Sequence, residues 1–189
     1  MKVKDIVEYA CVFMGKEDLL ASNIFDETGE QLDENQTKDL NLIVRCVNNI
    51  TSEIASDYLP ILKQKDVIFT DGKLSISLID SKMQEIVSIK SPSGKNLKYK
   101  YIGNQIICLA TSATITYKVY PDMLSINDNA ETFGNRLSAR VLAYGVASEY
   151  YYLQMLYDDA QIWEHKFKNA LMFASRKKGE IQMKKRGWF

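Results

Sequence analysis

The chain has 189 residues, 46% of them hydrophobic and 25% charged, which is ordinary globular usage for one domain, or one domain with a large insertion, and argues against global disorder. Lysine plus arginine equal aspartate plus glutamate at 24 each, so the chain as a whole lacks the basic excess of a dedicated nucleic-acid-binding domain. The charge is segregated nonetheless: residues 17–40 hold eight acids against one base, and residues 176–189 hold six bases against one acid. Such asymmetry suggests an interaction surface or tail, the alternative being two solvated segments.

In chain order, Val3 to Met14 reads as a short helix with Gly15 as its C-cap. Charges break its apolar residues from the start, so it does not read as a signal peptide, and no apolar run in the chain approaches a membrane span. Residues 16–35 are acidic and turn-rich, a loop with at most one helical turn. Leu40, Ile43, Val44, Val47, Ile50, Ile54 and Tyr58 then recur at three- and four-residue steps, placing a second helix before Pro60.

The period changes in the middle third. Val67 to Thr70, Asp71-Gly72 and Lys73 to Leu78 predict a β-hairpin, because Asp-Gly suits a two-residue turn with positive φ at both positions. Further strands are predicted near 84–90, 96–102, 105–110 and 113–120, separated by Ser91-Pro92-Ser93-Gly94, Gly103-Asn104 and Thr111-Ser112. Taken in order, these strands predict a small antiparallel meander.

A third helix is predicted over about 130–154, with Phe133, Leu137, Val141, Tyr144, Ser148 and Tyr151 as its stripe. Ala139, Ala143, Gly145 and Ala147 make parts of it slim enough for close helix approach. The fourth helix is predicted to start at an Asp158 N-cap, with Gln161 completing a capping box and Tyr157 and Ile162 a staple. Its apolar face would hold Ile162, Trp163, Phe167, Ala170, Leu171 and Ala174. A short link makes the last two helices an antiparallel pair. The pattern is lost after Lys178.

Catalytic signatures are missing. No G-x-S-x-G, phosphate-loop or dinucleotide motif occurs. His165 is the single histidine and sits between Glu164 and Lys166 on a polar helix face, where it reads as a surface residue. Cys11, Cys46 and Cys108 are odd in number and lack metal-ligand spacing, so they read as buried thiols of a reducing compartment. No catalytic residue, metal ligand or cofactor is therefore expected, although a site assembled from unmarked residues remains open.

The tail is the informative segment. Lys184-Lys185-Arg186-Gly187-Trp188-Phe189 sets two large aromatics beside three cations. Exposed aromatics are a liability unless covered, and Trp and Arg are enriched at interface hot spots. The segment therefore reads as a docking element. A tail folded onto its own core and a nucleic-acid-binding tail are the two alternatives.

Residues 136–189 resemble the C-terminal part of head–tail connector (adaptor) proteins of tailed bacteriophages. The features are a helix R-V-L-A-Y-G-V-A-S-E-Y, a short turn, a helix of the type A-x-x-W-x-x-K-F-K-x-A-L and a basic tail ending in an aromatic; the opening K-V-K-D-I-V-E-Y-A followed by Gly15 is similar to that group's first helix. The resemblance implies a homo-oligomeric, twelve-fold ring in the virion neck, under the portal protein and above a downstream tail or neck protein, with double-stranded DNA passing through its lumen. It implies no enzymatic activity and no membrane partner. Arg176, Lys177, Lys178, Lys184, Lys185, Arg186, Trp188 and Phe189 would form the portal-docking segment. The expected fold is α+β: an antiparallel bundle of about four helices with an inserted small antiparallel β meander. Its parts would be N-terminal helices at 1–60, a β domain at 61–122, C-terminal helices at 123–178 and an extended docking tail at 179–189.

Overall fold

In the computed structural model, which describes residues 1–25, 29–131 and 133–175, helical periodicity at both ends of the chain converges on one apolar core. Helix α1 (Val3–Met14) opens with the Lys2 backbone N–H donating to the Asp5 carboxylate at 3.3 Å. It closes at Gly15, whose φ of +66° lets Lys16 and Gly15 return their N–H groups to the Cys11 and Val12 carbonyls. The acidic stretch that follows contains one short helix, α2 (Glu17–Leu20).

Helix α3 (Glu34–Glu53) starts earlier than its apolar stripe suggests, because Asp33 and Gln36 cap each other reciprocally at 2.7 and 2.9 Å. It runs into a single π-helical turn, Ile54–Tyr58, before Pro60 ends the helical path.

Helix α4 (Ala139–Leu153) is shorter than predicted. Phe133 and Asn135 take positive φ in a 3₁₀ turn (Phe133–Asn135), so residues 130–138 cannot join the helix, although Phe133 and Leu137 are buried as anchors. The predicted stripe is buried only in part, at Phe133, Leu137 and Ser148. Val141, Tyr144 and Tyr151 lie at the rim, while Leu142, Ala143, Gly145, Val146, Ala147, Ser148 and Tyr150 are buried. The cause is that α4 is the central helix, packed against α1, α3 and α5 (Tyr157–Ser175).

The antiparallel pairing of α4 and α5 follows from their contacts. Ser148 Oγ donates to the Ala160 carbonyl at 3.0 Å, and a Cβ on Gly145 would lie 3.0 Å from the Phe167 ring and 3.0 Å from Ile50 of α3. The slim face expected of this helix is thus where three helices meet. The fourth helix begins one residue before the predicted cap, so Asp158 lies inside the first turn. Met155, in the link, takes φ +60° while 74% exposed. Ile162 is exposed rather than part of the inner face, which is formed by Ala160, Phe167 and Leu171.

The later strands occur near their predicted positions, but the first begins at Ile61 rather than Val67, and the strands pair differently. They are β1 (Ile61–Ile68), β2 (Lys73–Ser75), β3 (Met83–Lys90), β4 (Tyr99–Ile102), β5 (Gln105–Cys108) and β6 (Ser112–Val119). They form two three-stranded antiparallel sheets, ordered β1-β6-β3 and β2-β5-β4. Asp71-Gly72 does turn with positive φ at both residues, but only Thr70 and Lys73 pair across it. Beyond that bridge β1 pairs with β6 and β2 with β5, in one continuous register from Ile61↔Val119 to Ser75↔Gln105.

The expected antiparallel helical bundle with a small inserted meander is therefore wrong. The fold is a mixed helix-and-strand structure in which two sheets form a substantial part. The physical reason lies in β6. Ala113, Ile115, Tyr117 and Val119 are all buried, so β6 needs a neighbour on each side and takes distant ones. The two sheets enclose a second apolar core, with Ile89, Ile106 and Ile115 at its centre. The outer edge of β1 is guarded by Lys63 and Lys65, which share the inner face with Tyr117 and Ile115. Lys65 donates to the Leu78 and Ile79 carbonyls and Lys63 pairs with Asp80.

Two substitutions test this packing by urea denaturation. Gly145→Val is expected to destabilise the protein by about 2 kcal/mol or more, because the added atoms meet Phe167 and Ile50. Met155→Gly is expected to stabilise it by about 0.5–1 kcal/mol, since the exposed side chain contributes little and the left-handed backbone is strained for any L residue.

Candidate functional site

Three helices bring together an aromatic cluster that no single segment displays. Phe13, near the end of α1, stacks on Tyr144 of α4 at 5.1 Å and on Trp163 of α5 at 4.9 Å, while Tyr144 and Trp163 stack at 5.8 Å. Tyr9, one turn earlier in α1, extends the row at 6.3 Å from Phe13 and is 44% exposed. Cations flank the rings: Lys166 lies 4.0 Å from the Trp163 centroid, and Arg140 approaches the Tyr144 ring while its Nε donates to the Tyr144 hydroxyl at 2.9 Å. Beside Tyr9 the surface opens into a groove of about 630 Å³, lined by Asp5, Glu8, Val12 and Arg140 among others. It presents acids and apolar floor side by side.

Behind the stack, Lys16, Asp39 and Tyr150 lock the end of α1 to α3 and α4. Lys16 Nζ lies 2.6 Å from Asp39 Oδ2 and 5.1 Å from the Tyr150 ring centroid, and the Tyr150 hydroxyl donates to Asp39 Oδ1 at 2.9 Å. Burial alone would lower the Lys16 pKa, but the hydrogen bond to Asp39 and the neighbouring Tyr150 outweigh it and hold the ammonium charged.

A second cluster forms around the π turn. Burial pushes the Glu53 carboxyl up from its ordinary range, and Asp57, Glu149 and Glu164 add to this, with Lys168 opposing. Glu164 is itself held low by hydrogen bonds from Lys168 and from the Tyr152 hydroxyl.

None of these groups forms a recognisable nucleophile–base pair. Burial pushes the Cys11 and Cys46 thiols up to about 12 and raises Cys108, so all three are protonated at neutral pH. His165 lies exposed on α5 among Asp158, Gln161, Ile162 and Lys166. Among the described residues, no group of three or more His, Cys, Asp or Glu is placed to hold a metal ion, and no helix is long and apolar enough to cross a membrane.

The eight residues assigned from sequence to docking, Arg176, Lys177, Lys178, Lys184, Lys185, Arg186, Trp188 and Phe189, lie outside the described residues. Helix α5 ends at Ser175, immediately before them. The aromatic stack was not foreseen. The available signal was the four-residue spacing of Tyr9 and Phe13 and the position of Trp163 on α5.

Glu53 gives a pH test. Because its folded-state pKa is raised, ionisation opposes folding: the penalty is absent at acidic pH and grows as pH rises through the ordinary carboxylate range toward the folded value. Glu53→Gln is therefore expected to raise the melting temperature modestly at pH 7, with the gain shrinking below about pH 4.5. Parallel thermal melts of both proteins from pH 3.5 to pH 8 measure it.

No family model matches the chain, and no curated protein matches its sequence significantly.

Proposed function

We propose that the protein is a structural head–tail adaptor of a bacteriophage neck. In this reading identical subunits form a ring, twelve-fold as the connector resemblance implies, beneath the portal protein. The ring joins the portal to a downstream tail or neck protein and lets double-stranded DNA pass through its lumen without sequence recognition. The site of action is the virion, after assembly in the host cytoplasm.

The observation that carries the reading is the sequence from Arg136 to Phe189: a helix, a short turn, a second helix, and then six cations and two aromatics within the last fourteen residues. The helical hairpin has a physical role in it. Phe167 and Leu171 anchor α5 on α4, so the docking segment would be attached to a rigid element rather than to a loop. Each aromatic can bury about 150–250 Å², which makes Trp188 and Phe189 suitable hot spots. Repetition around a ring would multiply a modest affinity per tail. Opposite charges on residues 17–40 and 176–189 suit head-to-tail contacts between neighbours.

Removal of residues 179–189 is the direct test. Mass photometry of the full chain with a candidate portal ring should show a complex that the shortened chain fails to form. Equal binding by both chains would reject the docking role. The nucleic-acid-binding alternative predicts instead that the full chain binds free duplex DNA, with an affinity falling steeply between 50 and 200 mM salt, as the counterion release of about six phosphate contacts requires.

A further inference from the structure

We propose that the outer face of the β2-β5-β4 sheet docks on the acidic corner formed by α2 and the start of α3 in a second copy of this chain. The contact is head-to-tail. It deepens the adaptor reading by giving the ring a subunit interface, and it rests on that reading only for closure of the ring. Portal docking and this contact can fail separately.

Strand register builds the basic half. Lys73 of β2 and Lys100 of β4 both lie opposite Ile107 of β5. Leu74 and Ile106, one residue along, are buried in the sheet core, so alternation turns the row Lys73, Ile107 and Lys100 outward. Strands spaced about 4.8 Å apart put the two lysines about 10 Å apart, roughly one Debye length at 0.1 M salt, so their fields add. Lys98, two residues before Lys100, is also exposed, and β2, β4 and β5 carry no acid. Between Glu85 and Asp122 the chain has five lysines and no aspartate or glutamate. Among the described residues, Lys73, Lys98 and Lys100 are in no ion pair. Hydrocarbon lies among the cations: Ile102 is 61% exposed and Leu109 99%. A phosphate backbone would leave those side chains uncovered, whereas a protein surface can cover charge and hydrocarbon together.

The acidic half is a folded corner. The Asn23 N–H donates to the Glu30 carbonyl at 2.9 Å, turning the chain back, and α2 packs on α3. Glu17, Asp18 and Glu30 are exposed there. The nearby cations are engaged: Lys16 with Asp39, Lys38 with Glu34, and Lys4 over the Phe25 ring. Leu20 and Leu32, half-buried at the same corner, match the apolar residues of the sheet face.

One subunit does not join its own two halves. The corner lies at the start of α3, whereas the sheets meet the helical layer beyond its far end, where Gln84 reaches Ser56. Helix α3 has 20 residues, a rise of about 30 Å and so several Debye lengths. Opposite patches at the two ends make each copy both donor and acceptor. Such a heterologous contact closes into a ring or continues as a filament.

Charge reversal of the full chain, read by sedimentation velocity over a concentration series, tests the contact. The unaltered chain should form species larger than a monomer, growing with concentration and receding as salt rises. Lys73→Glu/Lys98→Glu/Lys100→Glu should weaken association about tenfold or more, and so should Glu17→Lys/Asp18→Lys/Glu30→Lys. Mixing the two variants should restore it, because reversed face then meets reversed corner and native face meets native corner. Restoration also shows that both variants fold. The contact is overturned if the unaltered chain stays monomeric throughout, if neither variant weakens association, or if mixing restores nothing. None of the six positions lies in residues 179–189, so portal docking can hold where this contact fails.

Discussion

The contact on which the helical layer depends is the one made at Gly145, where α4 has no side chain and both Ile50 of α3 and the Phe167 ring of α5 come close to its backbone. A central helix must satisfy three neighbours at once, and small residues on one side let it do so without separating them. The same choice explains why α4 carries Ala143, Gly145, Ala147 and Ser148 in succession, a set with little hydrophobic area of its own. Burial at this point comes from its partners: Phe167 and Leu171 contribute the apolar area, about 2–3 kcal/mol for each fully covered side chain. Helix α5 is held chiefly by this seam, by the Ser148–Ala160 hydrogen bond and by the stack of Trp163 on Phe13 and Tyr144. Whatever the segment after Ser175 does, its attachment point is set here.

What could be read from the chain alone follows a physical division. Local periodicity was informative: Leu40 to Ile54 describe a real helical face, Gly15 ends α1 as a left-handed cap, and the alternation of Ala113, Ile115, Tyr117 and Val119 belongs to a real strand. Pairing was not legible, because alternation records which face is buried and says nothing of which strand lies alongside. Asp71-Gly72 makes the expected turn, yet the strands on either side separate into different sheets after one bridge. At 130–138, Phe133 and Leu137 are buried at helical spacing but sit in a loop held by positive φ, so burial imitated a helix. The aromatic stack was hidden for a related reason. Tyr9 and Phe13, Tyr144, and Trp163 come from three segments, and only the assembled layer makes them neighbours.

The two cores are chemically distinct as well as spatially separate. The helical core is built from residues up to Leu59 and from Leu124 onward, with Ile61 beside it and a charged lock at its rim formed by Lys16, Asp39 and Tyr150. Among the described residues, the ion pairs beside the sheet core lie at its surface, Lys63 with Asp80 and Lys118 with Glu85. Ile61 packs against both clusters, and Gln84 of β3 donates to the Ser56 hydroxyl in the π turn at 3.1 Å. The junction is therefore narrow, and each core supplies its own cohesion.

The register of β1 with β6 has a topological consequence. Because Ile61 faces Val119, the polypeptide leaves the helical layer and rejoins it at cross-strand neighbours, only about 5 Å apart. For the helices, the whole excursion amounts to closing one tight loop, whatever its contour length. A lineage could lengthen, trim or replace the sheets while leaving the helical partners in place. Such an arrangement lets one layer stay constant while the other diversifies.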